Sequence, residues 1–92
     1  MHEEGMLKDL VRKAEEVARR ERAERVTRVR LWVGALSHLG GPELKDRWAH
    51  AVEGTVLAGA RVEIETDPDP HHPNAENVIL KSIDVDSGAK AP

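Results

Sequence analysis

The chain has 92 residues, 39% of them hydrophobic, with two tryptophans and no other aromatic, which is one domain with a shallow core and no room for a deep catalytic cavity. Cysteine is absent, so disulfides, thiolate metal sites, a zinc ribbon and a cysteine nucleophile are excluded together. The net charge of -3 hides an uneven layout: eight basic and four acidic residues lie between Arg12 and Arg30, and five basic and ten acidic in residues 31–92.

Met1-His2-Glu3-Glu4 opens the chain. Its α-amine, the amide nitrogen of His2 and Nδ1 of the His2 ring can close two fused chelate rings on one metal ion and fill three corners of a square. Nitrogen donors in a tetragonal arrangement suit Ni(II) or Cu(II), whereas zinc prefers a tetrahedron and magnesium prefers oxygen. The donors must shed protons, so binding weakens as pH falls through the α-amino pKa, about 7.7–8.0 when unperturbed. The plain alternative is that a histidine at position 2 is incidental.

Leu7, Leu10, Val11, Ala14, Val17 and Ala18 then recur at intervals of three and four, which predicts a helix over about Glu4 to Glu21. Acidic residues near its start and Arg19, Arg20 and Arg22 near its end complement the helix dipole. The basic stripe that begins on this helix invites a nucleic-acid reading. Glu15, Glu16, Glu21 and Glu24 interrupt it and no aromatic is interleaved for base stacking, so a solvated face and no nucleic-acid partner are expected.

Arg25 to Val33 alternates, with Thr27, Val29, Leu31 and Val33 on one face of a strand and Arg28, Arg30 and Trp32 on the other. An exposed Trp32 between arginines is a candidate partner contact; the alternative is that it lies under neighbouring side-chain stems. Gly34 to Gly41 reads as a loop, and Pro42 opens a second helix over about Pro42 to Glu53 that Gly54 ends. His38 and His50 lack a ligand-spaced partner and read as surface residues. A second strand follows at Ala60 to Thr66, with Val62 and Ile64 inward.

Asp67 to Asn77 holds Pro68, Pro70 and Pro73 and is expected to form an extended loop. His71 and His72 are neighbours whose side chains point apart in an extended chain, so together they do not grip one metal, but one of them can complete a site formed elsewhere. The last strand, Val78 to Asp86, mixes parities in a way that suggests a bulge near Lys81 and Ser82 or burial on both faces. Residues 87–92 bring nothing apolar to bury and read as a mobile tail. The order helix, strand, helix, strand, strand predicts an α+β fold with two helices on one face of a three-stranded sheet. Residues 1–86 are expected to be a single domain. No apolar run is long enough for a membrane span, and the acidic N-terminus is unlike a secretory signal. A cytoplasmic protein is expected, with homodimerisation as one route to stability for so small a core.

Several pieces match one family in order and spacing: Met1-His2-Glu3 at the start, Arg25 to Leu31 followed by Gly34-Ala35-Leu36-Ser37, Glu53-Gly54-Thr55 with Gly59-Ala60, and Leu80 to Val85. The chain resembles the hydrogenase nickel-insertion metallochaperones, the HypA/HybF family. The resemblance implies nickel held by the N-terminal amine, the His2 side chain and the backbone nitrogens of His2 and Glu3. It also implies delivery toward the large subunit of a [NiFe] hydrogenase, or in some organisms urease, beside a nickel GTPase of the HypB type. Family members normally carry a zinc-binding module with two CxxC pairs between the second and third strands; here residues 67–77 take that place, so no zinc is expected. His71 or His72 is then a candidate extra nickel ligand.

Two functions compete. The first is a nickel carrier whose open coordination position permits transfer by ligand exchange. The second is a metal-free adaptor that docks on hydrogenase subunits or maturation factors through the basic end of the first helix and the Arg28, Arg30 and Trp32 face. An enzyme is not expected, because no nucleophile motif, phosphate loop or acid-base constellation is present.

Overall fold

The structure is a computed structural model and describes residues 3–86. Its elements are α1 (Glu3–Arg20), β1 (Arg25–Val33), α2 (Gly41–Ala51), β2 (Arg61–Thr66) and β3 (Val78–Asp86). The strands form a mixed sheet of order β2-β1-β3, β1 running parallel to β2 and antiparallel to β3. The parallel pair needs a crossover, and α2 supplies it.

The apolar stripe of α1 decides where that helix goes. Leu7, Leu10, Val11, Ala14 and Ala18 are buried, and they share one core with Leu44 and Trp48 of α2 and with Val26, Val29, Leu31 and Val33 of β1. Both helices therefore cover the same face of the sheet, the expected α+β arrangement. The helix α1 closes at Arg22, whose φ of 54° is left-handed, while the Ala23 amide donates back to the Ala18 carbonyl at 2.9 Å. A non-glycine residue in that conformation costs roughly 1–2 kcal/mol; the closure turns the chain directly into β1. Helix α2 begins one residue before Pro42 and stops at Ala51, and a run of turns containing Gly54 (φ 78°) leads on to β2.

Two bulges settle the strand faces. On β1, Val26 pairs with Val85 and Arg28 with Asp84, so Thr27 is the extra residue; it is exposed, and Val26 takes the core position the alternation had assigned to Thr27. On β3, Arg30 pairs with Ser82 and Leu31 with Leu80, leaving Lys81 extra. That is the bulge the mixed pattern suggested. It brings Val78, Leu80, Ile83 and Val85 onto the helix-covered face despite their opposed parities.

The connections give the molecule two distinct ends. Only Glu21 to Glu24 separate α1 from β1, so α1 lies antiparallel to β1 and starts beside that strand's C-terminal end. The helix α2 leaves from that same end. The first turns of α1 meet the last turns of α2, where Leu7 and Lys8 line a groove with Arg47, His50 and Ala51, and the end of α1 meets the turns that follow α2, where Ala18 and Ala23 line another with Gly54, Thr55 and Val56. The loops after β1 and β2 leave the sheet at the same end, since the two strands run parallel.

Candidate metal-binding end of the fold

Residues 34–40 and 67–77 make up the two loops at this end, and hydrogen bonds join them. The Gly34 amide donates to the Asn77 carbonyl at 2.9 Å and the Leu36 amide to the Ala75 carbonyl at 2.7 Å. Contact is so close that a Cβ on Gly34 would run into the Ala75 carbonyl, which makes glycine a requirement of packing there.

Prolines keep residues 67–77 out of the sheet, as expected, but the loop is tightly wound instead of extended. The Asp67 side chain accepts the Asp69 amide at 2.8 Å, and the Asp69 side chain accepts the His71 amide at 2.9 Å. Each aspartate thereby offers the backbone the turn that a proline-rich stretch cannot find in a ladder. The His72 carbonyl then accepts the Ala75 amide at 3.0 Å, and Ala75 is buried.

This winding separates the two neighbouring histidines. His72 lies over Trp32, with ring centroids 4.8 Å apart and planes tilted by 46°, and its Nδ1 accepts the Asn74 amide at 2.9 Å. A neutral imidazole whose Nδ1 accepts must carry its proton on Nε2, so neither nitrogen offers a metal a lone pair while that bond stands. His71 is exposed and its ring has no hydrogen-bond partner among the described residues.

Trp32 itself corrects the expectation of an exposed contact. Only 8% of it is accessible, because the loop folds back under the outer face of the sheet and His72 closes over the indole. The arginines beside it are not free for a partner either. Arg28 lies 3.7 Å from Glu63 and 3.6 Å from Asp84; Arg30 lies 3.3 Å from Glu63 and 3.4 Å from Asp84, with a 3.2 Å bond to Ser82. Tertiary pairing across three strands neutralises a face that looks basic along the chain.

Residues 34–40 carry His38. Leu39 is fully buried, and the Ser37 hydroxyl accepts the Leu39 amide at 3.3 Å while the Ser37 amide donates to Gly34 at 3.1 Å. His38 stands exposed between these anchors, its ring without a partner among the described residues. No spacing in the sequence marks it. Met1 and His2 lie outside the described residues, and Glu3 is the first residue of α1. Among the described residues no three His, Asp or Glu groups converge into a metal cage, and no helix is long and apolar enough to cross a membrane.

Similarity to known proteins follows the same outline. The family model described as "Hydrogenase/urease nickel incorporation, metallochaperone, hypA" matches residues 1–71. The "Hydrogenase maturation factor HypA" of Polaromonas naphthalenivorans is 40% identical over 65 residues, covering 71% of this chain and 56% of that protein. The protein of the same name from Chloroflexus aurantiacus is 37% identical over 68 residues, covering 74% and 60%. The chain thus spans less than two thirds of the length of these relatives. The solution structure of the Ni metallochaperone HypA from Helicobacter pylori superposes with a TM-score of 0.74 at 16% identity, over 92% of this chain and 97% of that one, and shares its fold. With the family matched from its first residue through both helices and the parallel strand pair, the chain belongs to the HypA family.

Proposed function

We propose that this protein is a nickel carrier for hydrogenase maturation that binds Ni(II) at its N-terminus and passes it to a [NiFe] hydrogenase large subunit, working with a nickel GTPase of the HypB type. The observation that supports this most is the family match over residues 1–71, which takes in Met1, His2 and Glu3. The α-amine of Met1 with the amide nitrogen and Nδ1 of His2 are the in-plane donors, and the backbone nitrogen of Glu3 is adjacent. Glu3 begins α1, a helix packed on the core, and Met1 and His2 directly precede it in the chain. Of the two loop histidines considered as extra ligands, His71 is the one with a free ring.

The loop 67–77 stands in this reading where relatives carry a zinc module. With no cysteine in the chain, no thiolate zinc site exists to stabilise that region. The aspartate turns and the Trp32–His72 contact do so instead. Catalysis has no part in the proposal. The adaptor reading is weaker than the carrier reading, because Trp32 is covered and Arg28 and Arg30 are paired.

The test is a nickel titration, read by calorimetry and visible absorption, on protein starting at Met1 and tagged only at its C-terminus. One equivalent should bind with loss of protons, less tightly as pH falls through the α-amino range of about 7.7–8.0. Binding should disappear in His2→Ala and in a form with one residue added before Met1. Equal binding by all three proteins, or none by any, would overturn the carrier reading in favour of the adaptor.

A further inference from the structure

Arg12, Arg20, Arg25, Arg28 and Arg30 each lie 3.7 Å or less from an aspartate or glutamate, and Lys81 lies 2.7 Å from Glu65. The groove between the first turns of α1 and the last turns of α2 is different. Lys8 stands on one wall and Arg47 on the other, both exposed, and neither has an ion-pair partner among the described residues. Glu43 precedes Arg47 by four residues on α2, the spacing of a helical ion pair, yet Arg47 lines the groove with a second cation. Between the two cations the groove is apolar. Leu7, whose other side belongs to the core, and the exposed Ala51 form it, and His50 completes the rim. The groove measures about 350 Å³ and is open to solvent.

We infer that this groove docks a helix of a partner protein, an amphipathic helix with an apolar residue on its seam and a carboxylate on each flank. Each wall of the groove is a helix, and each carries one cation. An apolar side chain entering between them meets Leu7 and Ala51, while carboxylates to either side of it meet Lys8 and Arg47. Charges frame an apolar seam in this way where helices pack side by side. The apolar contact supplies affinity, in the manner of a helix laid in a groove, and the cations select the acidic partner and reject a basic one. Two like charges that face each other unpaired are relieved by an acidic occupant and by no other.

Other occupants suit the groove less well. Nucleic acid is poorly served by two cations with no aromatic among the lining residues to stack a base. An anionic bilayer would press against Glu43 and Asp46, both exposed on the same helix as Arg47. A small molecule would be left largely uncovered in an open groove. A second copy of the chain has no suitable helix to offer among the described residues, because the apolar stripes of α1 and α2 are already spent in its own core. The groove is also separate from the outer face of the sheet, where Arg28 and Arg30 have their carboxylates within the fold.

The experiment titrates the full chain with two synthetic amphipathic helices, one with leucines on its seam and glutamates on its flanks and one with lysines in place of the glutamates, and follows the backbone amide signals by NMR. Polyglutamate and phosphatidylglycerol vesicles are run beside them. The glutamate-flanked peptide should bind and should shift Leu7, Lys8, Arg47, His50 and Ala51. Its affinity should fall by about tenfold or more when Lys8→Glu and Arg47→Glu are combined, and the lysine-flanked peptide should then be preferred. Ala51→Glu, which sets a carboxylate in the groove at an exposed helical position, should weaken the glutamate-flanked peptide as well. Far-UV circular dichroism should not change, since all three positions are exposed. Equal binding of both peptides, equal binding by native and variant proteins, or shifts that map elsewhere would overturn the inference. So would failure of every probe to bind. Polyglutamate binding as tightly as the peptide would reduce the groove to a plain charge patch, and binding to vesicles alone would make it a lipid contact; either refutes a docked helix. Because the proposed nickel donors are Met1, His2 and Glu3, no outcome here bears on the nickel titration.

Discussion

Alternate residues of β1 live in opposite surroundings. On one face Val29, Leu31 and Val33 disappear beneath two helices; on the other Arg28 and Arg30 meet Glu63 and Asp84 in view of solvent, and only Trp32 is covered. Both faces are densely connected, yet they contribute differently. Apolar burial stabilises by about 1.5–3 kcal/mol for each large side chain, whereas ion pairs between well-exposed groups are worth about 0–1 kcal/mol. The helix-covered face holds the domain together, and the outer face chiefly specifies which strand lies beside which.

Leu31→Ala should break this contrast most visibly. Leu31 has no accessible surface, and its truncation leaves a cavity between the sheet and the helices. Unfolding by denaturant should show a loss of about 2–5 kcal/mol. Nickel stoichiometry should survive wherever the variant remains folded, because Leu31 is not among the proposed donors.

The outer face has one place where it behaves like the inner one. His72→Ala removes the ring from Trp32 and with it the acceptor for the Asn74 amide. A loss of about 0.5–1.5 kcal/mol is expected from the aromatic contact. In a Trp48→Phe background, where Trp32 is the only remaining indole, the emission should move to longer wavelength as water reaches it. An unshifted spectrum would show that the loop shields Trp32 without help from His72. Trp48→Phe should itself be tolerated better than most truncations, since the buried Nε1 of Trp48 has no partner among the described residues and removing an unsatisfied donor recovers part of the packing lost.

How far these contrasts were legible in the sequence depends on whether the signal was local. The stripe of α1, the alternation of β1 and the prolines of the 67–77 loop each act within a few residues, and they gave the elements and the single helix-covered face. The bulge at Lys81 was also visible, because mixed parity over Val78 to Val85 admits few geometric solutions. The bulge at Thr27 was not: Thr27 suits a strand as well as Val26 does, and only the pairing of Val26 with Val85 and Arg28 with Asp84 decides between them. The cover on Trp32 is illegible in the sequence for a similar reason. Its cover is His72, forty residues away, delivered by aspartate turns that composition alone reads as open loop. At the candidate site, Met1 and His2 are recognisable from their donor atoms.

The smallest effect expected is the most direct test of the outer face. Arg30 reaches Glu63, Asp84 and Ser82 at once, so counting contacts would make it a major determinant of stability. Each ionic partner is more than a third exposed, and salt screens such pairs over about 8–10 Å at ordinary ionic strength. Arg30→Met keeps the apolar stem and removes the charge, while Arg28 remains to meet both carboxylates. The loss should be under about 1 kcal/mol and should shrink further in high salt. A loss comparable to that of Leu31→Ala, and insensitive to salt, would mean that the network is structurally far stronger than its exposure implies. The two faces would then share the work of holding β2, β1 and β3 together.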